Sequence, residues 1–454
     1  MSITTVILAA GQGIRMRSSL PKVLHRLAGK TLLEHVYNAA SLVNHREIIV
    51  VYGYGGDQVR ETLPVLDVTW VEQKEQLGTG HAVKLAIGDV PETDLVLVLY
   101  GDIPMITVET LTNLTLAARE SGFALLTSFI DDPRGYGRII RNETGEVTRI
   151  VEEKDALGDE KSICEINTGM MVIAADSLKR WVASLKNNNA QKEMYLTDIV
   201  EMAVHEGVPI NTINPESAVE IMGINDRAQL AELERYYQLL QAHQLMRRGI
   251  TIMDPSRFDL RGEIEMDEDI TIDVNVLLEG KLKIGRQVSI GANCCIRDSI
   301  IGNNVRILPN CVIENAIIGN NCRIGPFARM RPDSNLNDDV HVGNFVEIKK
   351  SHVGRGSKIN HLSYIGDTEI GENVNIGAGT ITCNYDGANK HRTVIEDNVF
   401  VGSDTQLVAP VTIKSGATIA AGTTITRDVD SDTLAISRVE QTIVRKWKRP
   451  KKQK

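Results

Sequence analysis

Between positions 272 and 425 the chain repeats every six residues. Aliphatic side chains stand at 272, 278, 284, 290 and 296, and after a one-residue slip at 301, 307 and 313. A second slip gives 318, 324 and 330, followed by 342 and 348, then 353, 359 and 365, then 370 and 376. After a break the series runs 395, 401, 407, 413, 419 and 425. Glycine often follows the aliphatic, as in Ile284-Gly285, Ile301-Gly302 and Ile370-Gly371. An α-helix repeats every 3.6 residues and an alternating strand every 2, so neither accounts for this phase. A six-residue period is the signature of a parallel β-helix. Three hexads form one triangular coil, each aliphatic points inward onto its counterpart one coil away, and the small residue after it permits a tight corner. Two polar stretches interrupt the series, 332–339 and 382–393, and both read as excursions from the coil. Loops leaving one edge of a solenoid are natural places for a binding site.

The first half has a different style. Short apolar runs at 5–9, 48–52 and 95–99 alternate with amphipathic stretches at 31–42 and 78–87, and further strands are expected at 124–130 and 168–174. Strands separated by helices predict a mostly parallel, doubly wound Rossmann-like sheet. Between the halves, 225–249 reads as one long helix, with Leu230, Leu233, Tyr237, Leu240 and Gln244 on one stripe and Gly249 as its C-terminal cap. The expected organisation is therefore a nucleotide-type domain at 1–226, a linker helix at 227–249, a hexapeptide β-helix at 250–437 and a basic tail at 438–454.

Composition narrows the function classes. The 454 residues carry 50 basic and 59 acidic groups, a net charge of −9. Seven of the basic groups lie in the last ten residues, so the body holds 43 against 59, or −16. Such a body argues against binding nucleic acid through its phosphates. The six cysteines contain no CxxC pair and the ten histidines no HExxH, which disfavours disulfide scaffolds, zinc ribbons and zincin chemistry. The apolar run at 6–10 is too short for a signal peptide, and no segment approaches the roughly 20 apolar residues of a membrane span. A reduced, soluble, cytoplasmic protein without a membrane partner is expected. The basic tail reads as solvated, or alternatively as an anion clamp.

Two constellations carry chemistry. After the first strand comes Leu8-Ala9-Ala10-Gly11-Gln12-Gly13-Ile14-Arg15-Met16, then Pro21-Lys22. Gly11 and Gly13 allow a backbone to approach phosphate, and Arg15 and Lys22 supply cations beside it. Met16 replaces the third glycine of a dinucleotide fingerprint, and no GK[ST] is present, so neither that fold signal nor a P-loop applies. Tyr100-Gly101-Asp102 ends an apolar strand, where ligands sit in open α/β sheets, and an Asp there suits Mg2+. In the solenoid, His361 follows inward Ile359 at an outward position, and Arg331, Lys349 and Lys390 are cations able to gather around a sugar phosphate.

The sequence L-A-A-G-x-G-x-R-M with P-K downstream resembles the sugar-phosphate nucleotidyltransferase family. Gln73, Gln76-Leu-Gly-Thr79, Tyr100-Gly-Asp102, Gly135-Tyr-Gly137, Glu152, Asn167-Thr-Gly169 and Gly223-Ile-Asn225 continue the likeness in order. With the hexapeptide half, the chain from about residue 6 to 447 resembles the bacterial bifunctional family that joins N-acetylglucosamine-1-phosphate uridyltransferase to glucosamine-1-phosphate N-acetyltransferase. The resemblance implies Mg2+ (or Mn2+) held by Asp102 and Asn225, phosphates met by Arg15 and Lys22, and nucleotide contacts from Leu8, Ala9, Ala10, Gly11, Gln73, Gly78, Thr79, Tyr100 and Gly101. Gly137, Glu152 and Asn167 would meet the sugar. UTP and N-acetylglucosamine-1-phosphate are the implied substrates.

For the second half it implies His361 as general base for acetyl transfer from acetyl-CoA to the amine of glucosamine-1-phosphate. An imidazole titrates in the right range for that task. Arg331, Lys349, Tyr364, Asn375 and Lys390 would hold the sugar phosphate. Asn384 and Tyr385 would lie beside the acetyl group, and Ala378, Ser403, Ala421 and Arg438 along coenzyme A. A left-handed winding and a homotrimer are also implied. Ile14 departs from the pattern, standing where many relatives have Thr. Two other readings compete: a single-activity nucleotidyltransferase with a trimerising solenoid, and a non-catalytic regulatory subunit that reuses both folds.

Overall fold

The structure, a computed structural model, describes residues 2–450 and 452; Lys451, Gln453 and Lys454 of the expected tail lie outside the described residues. The chain divides into two compact units, Met1–Glu234 and Arg235–Lys454.

The first unit is built on a nine-stranded sheet. Its main path runs Asn211–Ile213, Phe123–Phe129, Glu165–Ala174, Leu95–Tyr100, Ile3–Ala9, Glu47–Tyr52, Thr69–Glu72. Ile3–Ala9 pairs in parallel with both Glu47–Tyr52 and Leu95–Tyr100. These strands read as continuous apolar runs because helices cover both faces, and Val6 and Val98 lie on one side of the sheet, Ile7 and Leu97 on the other. The strand Glu165–Ala174 runs antiparallel to its two neighbours, so the sheet is mixed, a point that apolar periodicity cannot reveal. The chain leaves Ile3–Ala9 in one direction, then returns to add Leu95–Tyr100 on its other side. That reversal opens a crevice at the C-terminal strand ends. The helix Leu32–Ser41 starts at a capping box: Thr31 Oγ1 accepts from Glu34 N–H at 3.1 Å, and the Glu34 carboxylate accepts from Thr31 N–H at 2.6 Å.

The long helix is Arg227–Arg247, and Gly249 caps it in the left-handed region at φ 92°. Its buried positions are Leu233, Gln238, Ala242 and Leu245, while Leu240 and Gln244 of the expected stripe face solvent. Leu233 of the expected stripe is buried as read, but beyond it the buried face turns to Gln238, Ala242 and Leu245. Gln238 accepts from Leu260 N–H at 2.7 Å and donates to Leu260 O at 3.0 Å, which satisfies the open strand edge of the first coil.

The second unit is the solenoid. Every aliphatic in the six-residue series is buried in one core that runs its length. Strands pair in parallel one coil apart, as in Ile290–Ile307, Ile307–Ile324, Ile324–Val342 and Val342–Ile359. One face is an eleven-stranded sheet, and the strands of the other two faces join in a seventeen-stranded one. The coil begins earlier than the hexad count suggested, with Phe258–Met266 paired to Val276–Ile284.

Three expectations are corrected. The stretch 332–339 is not an excursion: Ser334–Leu336 is an in-register strand and Leu336 is buried at the hexad position between Met330 and Val342. Its polar neighbours hid it. The second interruption is real but shorter, since Thr382 occupies a fully buried inward position before the loop leaves. The recurrent glycine also has a different reason. A Cβ on Gly302 would meet Asn320 and the Gly319 backbone at 2.8–3.0 Å, so glycine is there to let coils stack. The left-handed turn falls two residues later, at Asn304 and Asn321, whose side chains bond to each other at 3.2 Å.

Candidate active sites

The first unit gathers its candidates at the crevice. A cleft of about 240 Å3 is lined by the glycine loop (Leu8, Ala9, Ala10, Gly11), by Lys22, Gln73, Gly78, Thr79, Tyr100 and Asp102, and by Gln76 and Glu193, which the sequence reading did not assign. Backbone bonds hold it together. Gly101 N–H donates to Leu8 O at 2.9 Å. Gln76 Nε2 donates to Ala10 O at 2.7 Å, and Gln73 Nε2 to Gly78 O at 3.0 Å.

At one end Lys22 reaches both predicted metal ligands. Its ammonium forms an ion pair with the Asp102 carboxylate and donates to Asn225 Oδ1 at 2.9 Å. Both oxygens thus converge on a single cationic atom, and the pair fits Mg2+, which takes one or two protein oxygens and fills its remaining positions with water and phosphate. No group of three His, Cys, Asp or Glu side chains able to hold a metal exists among the described residues.

The predicted sugar contacts form a separate group. Asn167 and Gly137 are strand partners. Gly137 is buried, and a Cβ there would press to 3.1 Å against the Ile150 side chain, with the Glu152 carboxylate next to it. Burial holds the Glu152 carboxyl above its ordinary range, although it accepts from Thr197 Oγ1 at 2.9 Å. Asn167 Oδ1 accepts from Gly169 N–H at 3.0 Å, and Gly169, at φ 82°, lies so close to the Tyr100 ring that a Cβ would sit 2.4 Å from it. These three contacts do not line the cleft itself. Arg15 stands exposed on the turn Ile14–Met16, beside exposed Ile14, and is outside the cleft as well.

In the solenoid the candidates follow coil register. His361 pairs with Asn344 one coil below, and its Nδ1 lies 2.8 Å from Asn344 Oδ1. A carbonyl oxygen only accepts, so in the neutral ring Nδ1 carries the hydrogen and Nε2 is left as the acceptor. Ala378, Ser403 and Ala421 occupy the same edge on successive coils: Gly379 N–H donates to His361 O, Asp404 N–H to Ala378 O, and Gly422 N–H to Ser403 O. Arg438 follows at the end of this column, near Gly422. Asn375 faces outward on the strand that leads into Ala378.

The following face carries the charged candidates. Arg331 and Lys349 sit on adjacent coils, and Arg331 pairs with Glu347 at 2.9 Å. Tyr364 lies one coil on, in register with Glu347. The inserted loop folds back over this region. His391 N–H donates to Asn384 O at 2.8 Å, Tyr385 and Lys390 form a bridge, and Asp386 accepts from His391 Nε2 at 2.7 Å. Tyr385 is exposed, its hydroxyl donating to Gly387 O at 2.6 Å. Asn344 escaped the sequence reading, yet it stands one 17-residue coil before His361, so register arithmetic alone identifies it.

Comparison with known proteins agrees with this division. Residues 5–196 match the MobA-like NTP transferase domain. Residues 260–353 match the GMPPB C-terminal domain, and 392–427 the bacterial transferase hexapeptide (six repeats). Fold and matches define an enzyme of two transferase modules, a nucleotidyltransferase joined to a left-handed hexapeptide β-helix. The chain is 56% identical to the bifunctional protein GlmU of Methylococcus capsulatus over 453 residues, 100% of this chain and 98% of that one. It is 54% identical to the bifunctional protein GlmU of Azoarcus sp. over 449 residues, 99% of both. The chain belongs to the GlmU family and is a bifunctional acetyltransferase and uridyltransferase. The regulatory-subunit and single-activity readings are not favoured. No helix among the described residues is long and apolar enough to cross a membrane.

Proposed function

We propose that the crevice of the first unit transfers uridylyl from UTP to N-acetylglucosamine-1-phosphate, with Asp102 and Asn225 holding Mg2+ or Mn2+. The observation that supports this is the convergence of their oxygens at the end of a glycine-loop cleft. The sugar phosphate oxygen attacks the α-phosphorus of UTP, and pyrophosphate leaves. Such a transfer needs alignment and charge neutralisation rather than a covalent helper. The backbone at Gly11 and Gly13 cradles phosphate, Lys22 and Arg15 neutralise it, and the Glu152 carboxyl and Asn167 amide orient the sugar. A bound divalent ion supplies further neutralisation of the phosphates.

The solenoid site acetylates glucosamine-1-phosphate. His361 Nε2 takes a proton from the sugar 2-amine as its nitrogen attacks the thioester carbonyl, and coenzyme A leaves as a thiolate that takes that proton back from His361. Asn344 holds the imidazole in the required tautomer. Arg331, Lys349, Tyr364, Asn375 and Lys390 hold the sugar phosphate, Asn384 and Tyr385 border the acetyl group, and the column Ala378, Ser403, Ala421, Arg438 follows coenzyme A. The product feeds the first unit. The working assembly is a homotrimer in the cytoplasm, its domains dividing at 226, 249 and 437.

A coupled assay with pure protein, glucosamine-1-phosphate, acetyl-CoA, UTP and Mg2+ tests the reading. UDP-N-acetylglucosamine should form only with all four present. N-acetylglucosamine-1-phosphate should accumulate when UTP alone is omitted.

A further inference from the structure

Asp367 belongs to none of the assigned contacts, yet two of them, Asn384 and Lys349, meet at it. Its side chain is largely buried, 12% exposed. Its Oδ2 accepts a hydrogen bond from Asn384 Nδ2 and lies 3.7 Å from the Lys349 ammonium. Asn384 is itself buried at 6% exposure, so its amide has few other partners. Lys390 lines the same pocket as Asp367, and it is the largest cause that holds the Lys349 ammonium below its ordinary pKa. Neighbouring ammonium groups repel, and a carboxylate beside them offsets the repulsion. The neighbouring Gly366 keeps the space clear: a Cβ there would lie 2.5 Å from the Tyr364 hydroxyl and 2.7 Å from Asn384 Nδ2.

We propose that Asp367 is a positioning residue for acetyl transfer, orienting the Asn384 amide and holding Lys349 and Lys390 together ahead of the sugar phosphate. This rests on the solenoid-site reading above. An ionised carboxylate can only accept, so it fixes which end of the Asn384 amide faces it. The NH2 group turns toward Asp367, and its second N–H is left to donate to the oxyanion that forms on the acetyl carbonyl. When the sugar phosphate arrives, its negative charge takes over the neutralisation of the lysines.

Corner geometry alone also favours Asp at this position, because Asp367 has φ 49°. Asn315 occupies the same corner three coils earlier at φ 43°, so Asp367→Asn keeps the turn and removes only the charge. The variant should melt with wild type and retain uridylyl transfer. Its acetyl-transfer kcat should fall by about tenfold or more, the equivalent of one well-placed hydrogen bond, while KM for glucosamine-1-phosphate stays level or drops. In an Asn384→Ala background the same change should cost less than about twofold, because the two residues act as one unit. Wild-type kcat in Asp367→Asn, a raised KM with kcat unchanged, or losses that multiply with Asn384→Ala would each overturn the proposal. If Asn384→Ala itself leaves acetyl transfer intact, the site reading beneath it falls too.

Discussion

The two candidate sites are assembled by different rules. In the first unit, Lys22 meets Asn225 across 203 positions and Gln76 meets Ala10 across 66. In the solenoid, His361 meets Asn344 and Asn384 meets Asp367 across 17 positions each. A doubly wound sheet brings strand ends together through crossovers of unequal length, so neighbours in space follow no spacing rule. A solenoid turns sequence distance into axial position, so a residue's neighbours are read by adding one coil. A local motif locates the first kind of site; register locates the second.

The sharpest break between the sites is catalytic. Asp102→Ala should lower uridylyl transfer by roughly a thousandfold or more and leave acetyl transfer within about twofold, since removing a preorganised charge partner costs most where charge develops. His361→Ala should do the reverse, by about a hundredfold to ten-thousandfold. Separate assays of each half-reaction decide this, and loss of both activities from either change in a folded protein would end the two-site picture.

One coil below His361, Asn344→Ala should lower the acetyl-transfer kcat by about tenfold, the loss of one orienting hydrogen bond. Full activity would show that coil register does not extend to catalysis. The fold has its own test. Leu336→Ala and Ile359→Ala should each destabilise by about 2–5 kcal/mol, as buried large-to-small changes do, read from denaturant midpoints of the full chain. Near-neutral behaviour at Leu336 would return 332–339 to the surface.

In the first unit, Thr197→Val removes the hydroxyl that donates to Glu152. The KM for N-acetylglucosamine-1-phosphate should rise about threefold to tenfold, with acetyl transfer untouched. The smallest effect concerns pH. Burial first, then Glu152, Glu201 and Asp155, push the Asp198 carboxyl up to about 6. A carboxyl raised in the folded state binds its proton more tightly than in the unfolded chain, so its ionisation subtracts stability above about pH 6 and has no effect below its unfolded value of about 3.9. Asp198→Asn should therefore raise the melting temperature at pH 7.5, and the gain should fade as pH falls from 6 toward 4.

Particular elements show where sequence reading stops. The hexads were legible because each needs an aliphatic inside, whatever its neighbours. Leu336 was overlooked because polar residues surround it, although it keeps the period. The long helix and its buried Leu233 were legible, but the rest of the buried face was not, because one of its members, Gln238, holds its place through hydrogen bonds. Asp367 reads as a corner residue in the sequence, and its partner Asn384, one 17-residue coil on, was missed because the inserted loop breaks the period there.

The order of the chain by itself determined the period of the solenoid, the alternation of the first half and the local glycine loop. Each of these depends on neighbours within a few residues, where backbone geometry and burial act directly. The tertiary structure decided the antiparallel strand in the sheet, the meeting of Asp102 with Asn225, and the partner that sets the His361 tautomer. Those contacts depend on which distant segments pack together, and that choice is made by the whole core at once, not by any one stretch of sequence.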